Sequence, residues 1–383
     1  MATIIIKRCW FALALFSSVL LVQLAQAQRL DFFTLNPSEE EAFPAPGSPP
    51  ATLWFGLAVA IDGNTALVSM PEASPPRVAV FTRNAAGLWL RTATLQNEVG
   101  SFLAISDDYA LVASGDVLAA YRRTTQGWVR TQAINVGPSL SGLVMDGRVA
   151  AFVTSPPQQP ASVQVLYRDP QGRWFSGPTL TNSDGGAWGS SFALSKHTLV
   201  VGAASQNDGR GAAYIFQRFG WKWREVQKLL APEDEMQRFG AAVSVSGRRI
   251  AIGAPGTLPI NENTGQATGA AYVFDRKGRF WYESQRLQSI GTDTNSLGSF
   301  LALTPSMLTV VAPAPDRFSF AEVFVYEPRG PHRTFETKGA IVLGDYAGIG
   351  DHAASGNTAL TGVPNDSPFN TGYVAGYENS PTP

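Results

Sequence analysis

An internal repeat constrains this chain more than any other feature. A short apolar run, a tight turn and a second apolar run first occur as Ala58-Val59-Ala60-Ile61, Asp62-Gly63-Asn64 and Thr65-Ala66-Leu67-Val68. The frame returns with turns at Ser106-Asp107, Asp146-Gly147, Ser195-Lys196, Ser246-Gly247, Thr304-Pro305 and Ser355-Gly356, giving seven copies spaced by 44, 40, 49, 51, 58 and 51 residues. Length alone suggests two or three domains. A fixed period overrides that expectation, because each unit can bury its faces only against the next.

Every copy continues to a third alternating run that ends on an aromatic: Phe81, Tyr121, Tyr167, Phe216, Phe274, Tyr326 and Tyr377. Five copies then carry a glycine turn followed by tryptophan, at Gly87 and Trp89, Gly127 and Trp128, Gly172 and Trp174, Gly220 and Trp223, and Gly278 and Trp281. A fourth run follows, such as Glu225-Val226-Gln227-Lys228-Leu229-Leu230. Period-2 alternation broken by Gly, Asn, Asp and Ser is strand and hairpin chemistry, and four strands with short turns fill a unit of this size. The repeated tryptophans sit at one structural position, which points to packing between neighbouring sheets.

These observations predict an all-β fold, a seven-bladed β-propeller of four-stranded antiparallel blades. A closed ring leaves only short, protected strand edges, whereas a linear β-solenoid has shorter repeats and needs end caps that this sequence lacks. The seventh copy stops after Tyr377 without a fourth strand. Phe33-Thr34-Leu35-Asn36-Pro37 resembles Lys228-Leu229-Leu230-Ala231-Pro232, the end of a fourth strand and its exit linker. A strand over about residues 29–36 is therefore expected to complete the last blade and tie the ring shut.

The N-terminus reads as an export signal. Lys7 and Arg8 precede an apolar run over residues 9–24 that ends at Ala25-Gln26-Ala27, a small-x-small cleavage pattern. The run is shorter than the ~20 apolar residues that span a bilayer, and no later segment is apolar enough to span one. The expected organisation is a signal peptide over 1–27, a closing strand and Pro-rich linker over 28–54, seven repeats over 55–377 and a tail over 378–383. The single cysteine, Cys9, lies in the leader, so the exported chain forms no internal disulfide and its stability comes from packing. Removing Lys7 and Arg8 leaves 27 basic against 30 acidic side chains, which argues against a nucleic-acid partner held by counterion release.

No Trp-Asp dipeptide occurs, and the one Gly-Gly pair is Gly185-Gly186, so neither WD40 nor kelch repeats fit. The pattern instead resembles FG-GAP repeats, the unit of the integrin alpha-chain head. Phe55-Gly56 and Phe239-Gly240 match the Phe-Gly element, and Gly253-Ala254-Pro255 matches Gly-Ala-Pro. Weaker forms are Ser69-Met70-Pro71, Gly202-Ala203-Ala204, Val311-Ala312-Pro313 and Gly362-Val363-Pro364, while copies two and three are degenerate, with Ala113-Ser114-Gly115 and Val153-Thr154-Ser155. The resemblance implies a seven-bladed propeller that binds other molecules. Integrin relatives carry calcium loops of alternating aspartates in the first hairpins. Here those hairpins are short turns that cannot wrap a cation needing six to eight oxygens, so no cofactor is expected and Asp62-Gly63 and Asp146-Gly147 read as turn formers.

Catalytic signatures are sparse. His197, His332 and His352 share neither a strand face nor a metal-ligand spacing, no G-x-S-x-G elbow occurs, and no thiol remains once the leader is removed. The inner strands carry packing residues such as Val59, Ile61, Val243, Val245, Leu301 and Leu303. Variable segments are more informative, because the loop between strands two and three and the linker to the next blade emerge on one face. Candidate ligand-binding residues there are Asp184, Asn207, Asp208, Asp234, Asn261, Asn263, Asp293 and Asp366. Trp54 and Trp188 fall outside the tryptophan register and are candidates for ligand stacking. The sequence thus points to an exported interaction module for a protein or glycan. The competing reading is a carboxylate-based hydrolase or lyase acting on extracellular polysaccharide.

Overall fold

A computed structural model describes residues 30–37, 53–137, 139–155, 161–231, 237–256, 269–288, 296–313, 320–330, 333–345, 349–364 and 372–379. The leader, most of the Pro-rich linker and residues 380–383 of the tail expected from the sequence lie outside these residues; Glu378 and Asn379, expected in that tail, belong to the last strand. Seven four-stranded antiparallel sheets are present. Blade one runs Val59–Asp62, Thr65–Met70, Arg77–Arg83 and Trp89–Gln96, in spatial order from the inner to the outer strand. Blades two to six repeat the plan.

Blade seven closes as the sequence predicts. His352–Ser355, Thr358–Val363 and Tyr373–Asn379 supply three strands, and Leu30–Leu35 pairs antiparallel with Tyr373–Asn379 as the fourth. The sequence alignment of this strand on its proline is out by one position. Leu35 pairs with Val374 as Leu229 pairs with Ala213, so Leu35 corresponds to Leu229 rather than Leu230. The correction matters because a one-residue slip turns every side chain to the other face. Leu35 is buried like Leu229, whereas Leu230 is exposed.

Seven apolar cores hold the ring, one at each junction between neighbouring blades. Val200, Ile215 and Leu229 of blade four pack with Phe239, Val243, Ile252 and Tyr272 of blade five, and Leu360 and Val374 of blade seven pack with Phe55, Val68 and Phe81 of blade one. The tryptophans after the glycine turns belong to these cores: Trp223 packs with blade three, and Trp281 with blade four. A bulge in the ladder between strands three and four precedes each such turn, as at Val273/Phe274 and Ile215/Phe216. The extra residue bends strand four.

The two repeated sequence elements meet at the junctions. Within a blade, the glycine of the Phe-Gly element donates to the carbonyl of the Gly-Ala-Pro position: Gly240 N to Gly253 O at 3.0 Å, and Gly56 N to Ser69 O at 3.0 Å. Across the junction the same glycine lies against the preceding blade. A Cβ on Gly253 would sit 1.9 Å from the carbonyl oxygen of Gly298, and one on Gly362 would sit 1.9 Å from that of Gly56. Those positions admit no side chain while the backbones stay this close. On the opposite face, five inner strands end on a side-chain oxygen that accepts from the next turn. Asp62 accepts from Asp107 N at 2.6 Å, Asp146 from Lys196 N at 2.6 Å, and Ser355 from Gly63 N at 2.9 Å.

Candidate functional site

Among the described residues, blade four presents a solvent-accessible polar cluster on the loop face. Its parts are Asp184 in the linker before the first strand, Gln206 in the loop between strands two and three, Tyr214 in Ala212–Phe219 and Lys228 in Lys222–Leu230. The Tyr214 hydroxyl donates to Asp184 Oδ2 at 2.8 Å, and the Lys228 ammonium forms an ion pair with the same oxygen. Lys228, and after it the tyrosine hydroxyl, hold the Asp184 carboxyl below the usual carboxylate range. Burial, followed by the neighbouring carboxylate, pushes the Tyr214 hydroxyl above its ordinary value.

Gln206 completes the cluster. Tyr214 has one proton, which goes to Asp184, so the amide serves the hydroxyl best by turning its Nε2 toward the oxygen. The orientation with Oε1 facing Tyr214 instead leaves Nε2 buried with no partner among the described residues. Ser183 is fixed alongside by Glu225, which accepts from its backbone N at 2.9 Å and its hydroxyl at 2.7 Å. The arrangement is an anchored carboxylate, 42% exposed, beside a lysine that is 25% exposed. It can offer a hydrogen-bond acceptor and a cation to a polar ligand.

Of the other candidates, Asn207 and Asp208 are exposed in the turn that carries Gln206, both with positive φ. That turn leans on blade five through Arg238 N to Gly209 O and Phe239 N to Arg210 O, both 2.9 Å. Trp54 is exposed and also has positive φ, in the turn that leads into Phe55-Gly56. Asp234, Asn261, Asn263, Asp293 and Asp366 lie outside the described residues.

Trp188 requires a correction. It is buried, its Nε1 donates to Ala161 O at 2.7 Å, and its ring packs on Tyr214 and Phe216. Trp188-Gly189 is the Phe-Gly element of blade four, with tryptophan in the place that Phe55 and Phe239 fill elsewhere. Its glycine donates to Gly202 O at 2.8 Å as Gly240 does to Gly253 O. The ring is therefore closed to a ligand. Leu297-Gly298 shows the same substitution of an apolar residue for the phenylalanine.

Comparison with known proteins agrees with this geometry. Residues 223–274 match the family described as FG-GAP repeat, a stretch that spans the junction from Trp223 of blade four to Phe274 of blade five. The chain is a seven-bladed propeller that contains an FG-GAP repeat. A search of curated proteins finds no sequence match. Among solved structures, Hsv2 of Kluyveromyces marxianus is similar with a TM-score of 0.52 and 10% identity, covering 82% of this chain and 93% of that one. Hsv2 of Kluyveromyces lactis gives 0.52 and 12%, covering 80% and 89%. At these identities the likeness is one of fold alone.

The centre of the propeller holds a cavity of about 530 Å³ walled by the inner strands, including Val59, Ile61, Leu103, Val243 and Leu301. Sequence reasoning missed its acidic group. Asp351 precedes the inner strand of blade seven and accepts from Val59 N at 3.1 Å and His352 N at 2.8 Å. Burial pushes its carboxyl up to about 6, against those two donors. His352 lies beside it between the hydroxyls of Thr309 and Thr361, at 2.7 and 2.8 Å, and burial pulls it down to about 3. The available signal was the break in the inner-strand pattern, where Asp351-His352 stands in place of an apolar pair. Asp351 is the one carboxylate among the described residues of the cavity wall, whereas acid–base glycoside hydrolysis uses two.

Proposed function

We propose that this propeller is an exported binding module that holds a protein or glycan ligand on its loop face. The observation that carries the reading is the contrast between the two ends of blade four. The loop end presents Asp184, Lys228, Asn207 and Asp208 on a fixed frame, while the inner strands turn mostly apolar side chains into the cavity. Variable polar loops on a constant scaffold are where recognition concentrates. Export is the part of the proposal that rests on Lys7, Arg8 and the apolar run after them.

The test is a capture experiment with purified protein against soluble extracellular proteins and a glycan panel. Shortening the 256–269 segment, or changing Asp184 to Asn together with Lys228 to Gln, is expected to abolish capture while the fold is retained. Undiminished capture by both variants would sink the proposal. Glycan cleavage that disappears on Asp184→Asn would favour a hydrolase or lyase instead.

A further inference from the structure

The face opposite the loops has a different character. The hairpins between strands three and four lie at its outer rim, and five of them combine exposed apolar side chains with basic ones. Over residues 83–91, 122–130, 168–175, 218–224 and 276–282 the chain places thirteen of its 29 lysines and arginines against one carboxylate, Asp169. Arg83, Arg123, Arg130 and Arg173 pair with Glu378, Asp108, Glu98 and Asp169, and the remaining cations leave the rim basic within a nearly neutral whole. Arg122, Lys222, Arg224, Lys277 and Arg279 are exposed, and none forms an ion pair among the described residues.

The apolar component is just as unusual. Trp221 is 68% exposed, Leu88 60%, Phe219 55% and Leu90 50%, with Val129 and Phe280 also outside. Water rarely retains side chains of this size in a row on a protein surface without a use for them. Trp221 is anchored to the neighbouring blade. The backbone carbonyl of Trp221 accepts from the Tyr167 hydroxyl of blade three at 3.0 Å, and its ring meets Tyr167 edge-on at 4.9 Å. Cations sit over the exposed rings, Arg224 over Phe219 at 6.0 Å and Arg279 over Phe280 at 5.0 Å.

We propose that this basic, apolar rim docks the propeller on an anionic lipid surface. Aromatic and aliphatic side chains enter the boundary between headgroups and acyl chains, while the adjacent lysines and arginines meet the headgroup charge. Charge complementarity alone would also suit a sulfated glycan or a nucleic-acid strand. The aliphatic members decide between these occupants. A polysaccharide or nucleotide gives aromatic faces something to stack on but leaves Leu88, Leu90 and Val129 in water, whereas a bilayer takes up all of them. This face is distinct from the loop face, so both ligands can be held at once.

The experiment is cosedimentation of the full chain with phosphatidylcholine vesicles, with and without phosphatidylserine. Binding is expected only to the anionic vesicles and should weaken in ~1 M salt. Lys222→Gln and Arg279→Gln should each lower the affinity about five-fold. Phe219→Ser with Trp221→Ser should lower it about ten-fold or more. Asp184→Asn, on the other face, should leave it unchanged, which separates this proposal from the loop-face reading. Circular dichroism melts of the exposed-residue variants should match the parent protein. Failure to bind anionic vesicles, equal binding to neutral ones, or tighter binding to heparin or an oligonucleotide than to vesicles would overturn the proposal.

Discussion

Blades five and seven solve the same geometric problem from different chain material. Blade five is one continuous segment whose third and fourth strands, Ala270–Lys277 and Phe280–Gln288, are joined by a two-residue turn and share a bulge at Val273/Phe274. Blade seven is assembled from the two ends of the chain, and the ladder between Leu30–Leu35 and Tyr373–Asn379 has no bulge. Both nevertheless make the same glycine contact with the following blade, Gly253 against Gly298 and Gly362 against Gly56. In these two blades the glycine contact is therefore kept whether or not the blade is covalently continuous. The bulge goes with the hairpin, where it turns the following tryptophan into the neighbouring core.

Breaking the assembled blade should have the largest effect. Deleting residues 28–38 removes the buried Leu35, the Phe33 ring stacked on Trp89 and a ladder of backbone hydrogen bonds. The thermal midpoint is expected to fall by roughly 10 °C, at about 1 kcal/mol per lost backbone bond and about 2 kcal/mol for Leu35. An equivalent deletion in a protein with a free N-terminal strand would leave the midpoint unchanged.

The shared contact should respond alike in both blades. Gly253→Ala and Gly362→Ala each force a Cβ onto a backbone carbonyl, and each should cost about 4 kcal/mol or more by denaturant titration. The degenerate junction between blades three and four makes the counterpart. Val153 stands at the Gly-Ala-Pro position there, with its side chain over Gly189, so Val153→Ala leaves a gap and should cost only about 2 kcal/mol. Equal losses at Gly253 and Val153 would contradict the close backbone approach as the origin of the cost at Gly253.

The inner strand of blade seven and the aspartate before it add a pH dependence. His352 is pulled down to about 3 in the fold, so the unfolded chain takes up its proton first and stability falls as pH drops from about 6.5 toward 3. Asp351 acts in the other direction. Its folded value of about 6 lies above the unfolded one, so its ionisation penalty grows as pH rises from about 4 to 6. The two effects, each of order a few kcal/mol, partly offset one another between pH 4 and 6. Asp351→Asn should steepen the acid limb of a stability–pH profile, and His352→Gln should flatten it.

A smaller effect is expected at the outer strands. Gln227 brackets the backbone of Trp281, donating to its carbonyl at 2.8 Å and accepting from its N–H at 2.7 Å. Gln132 does the same for Trp174, and Gln285 for Phe335. Gln227→Ala should cost about 2 kcal/mol, as two peptide groups lose their partner. Blade one has Ala93 at this position, paired with Val80 as Gln227 is with Ile215, and Trp128 of the next blade is less buried than Trp281. Ala93→Gln should therefore stabilise the first junction by about 1 kcal/mol.

The sequence carried the blade count, the strand pattern and the closing strand, because a period of two inside a period of about fifty leaves few alternatives. It did not carry the register of the closing strand, since the proline used for alignment lies beyond the ladder. In sequence Trp188 stands apart from the repeat because blades one and five carry phenylalanine before the glycine, whereas the buried position accepts tryptophan in blade four and leucine in blade six. The glutamine brackets and the Asp184, Gln206, Tyr214 and Lys228 cluster were legible only in part. Each depends on which residue of one strand faces which residue of another, and a bulge shifts that count by one.

Amide hydrogen exchange along Leu30–Leu35 tests closure of the ring most directly, because it perturbs nothing. Amides of this strand that bond to Tyr373–Asn379 are expected to exchange as slowly as those linking Ala242–Ser246 to Arg249–Ala254 in blade five. Exchange at the rate of an unstructured peptide, with blade five still protected, would show that the ring is not closed by this strand.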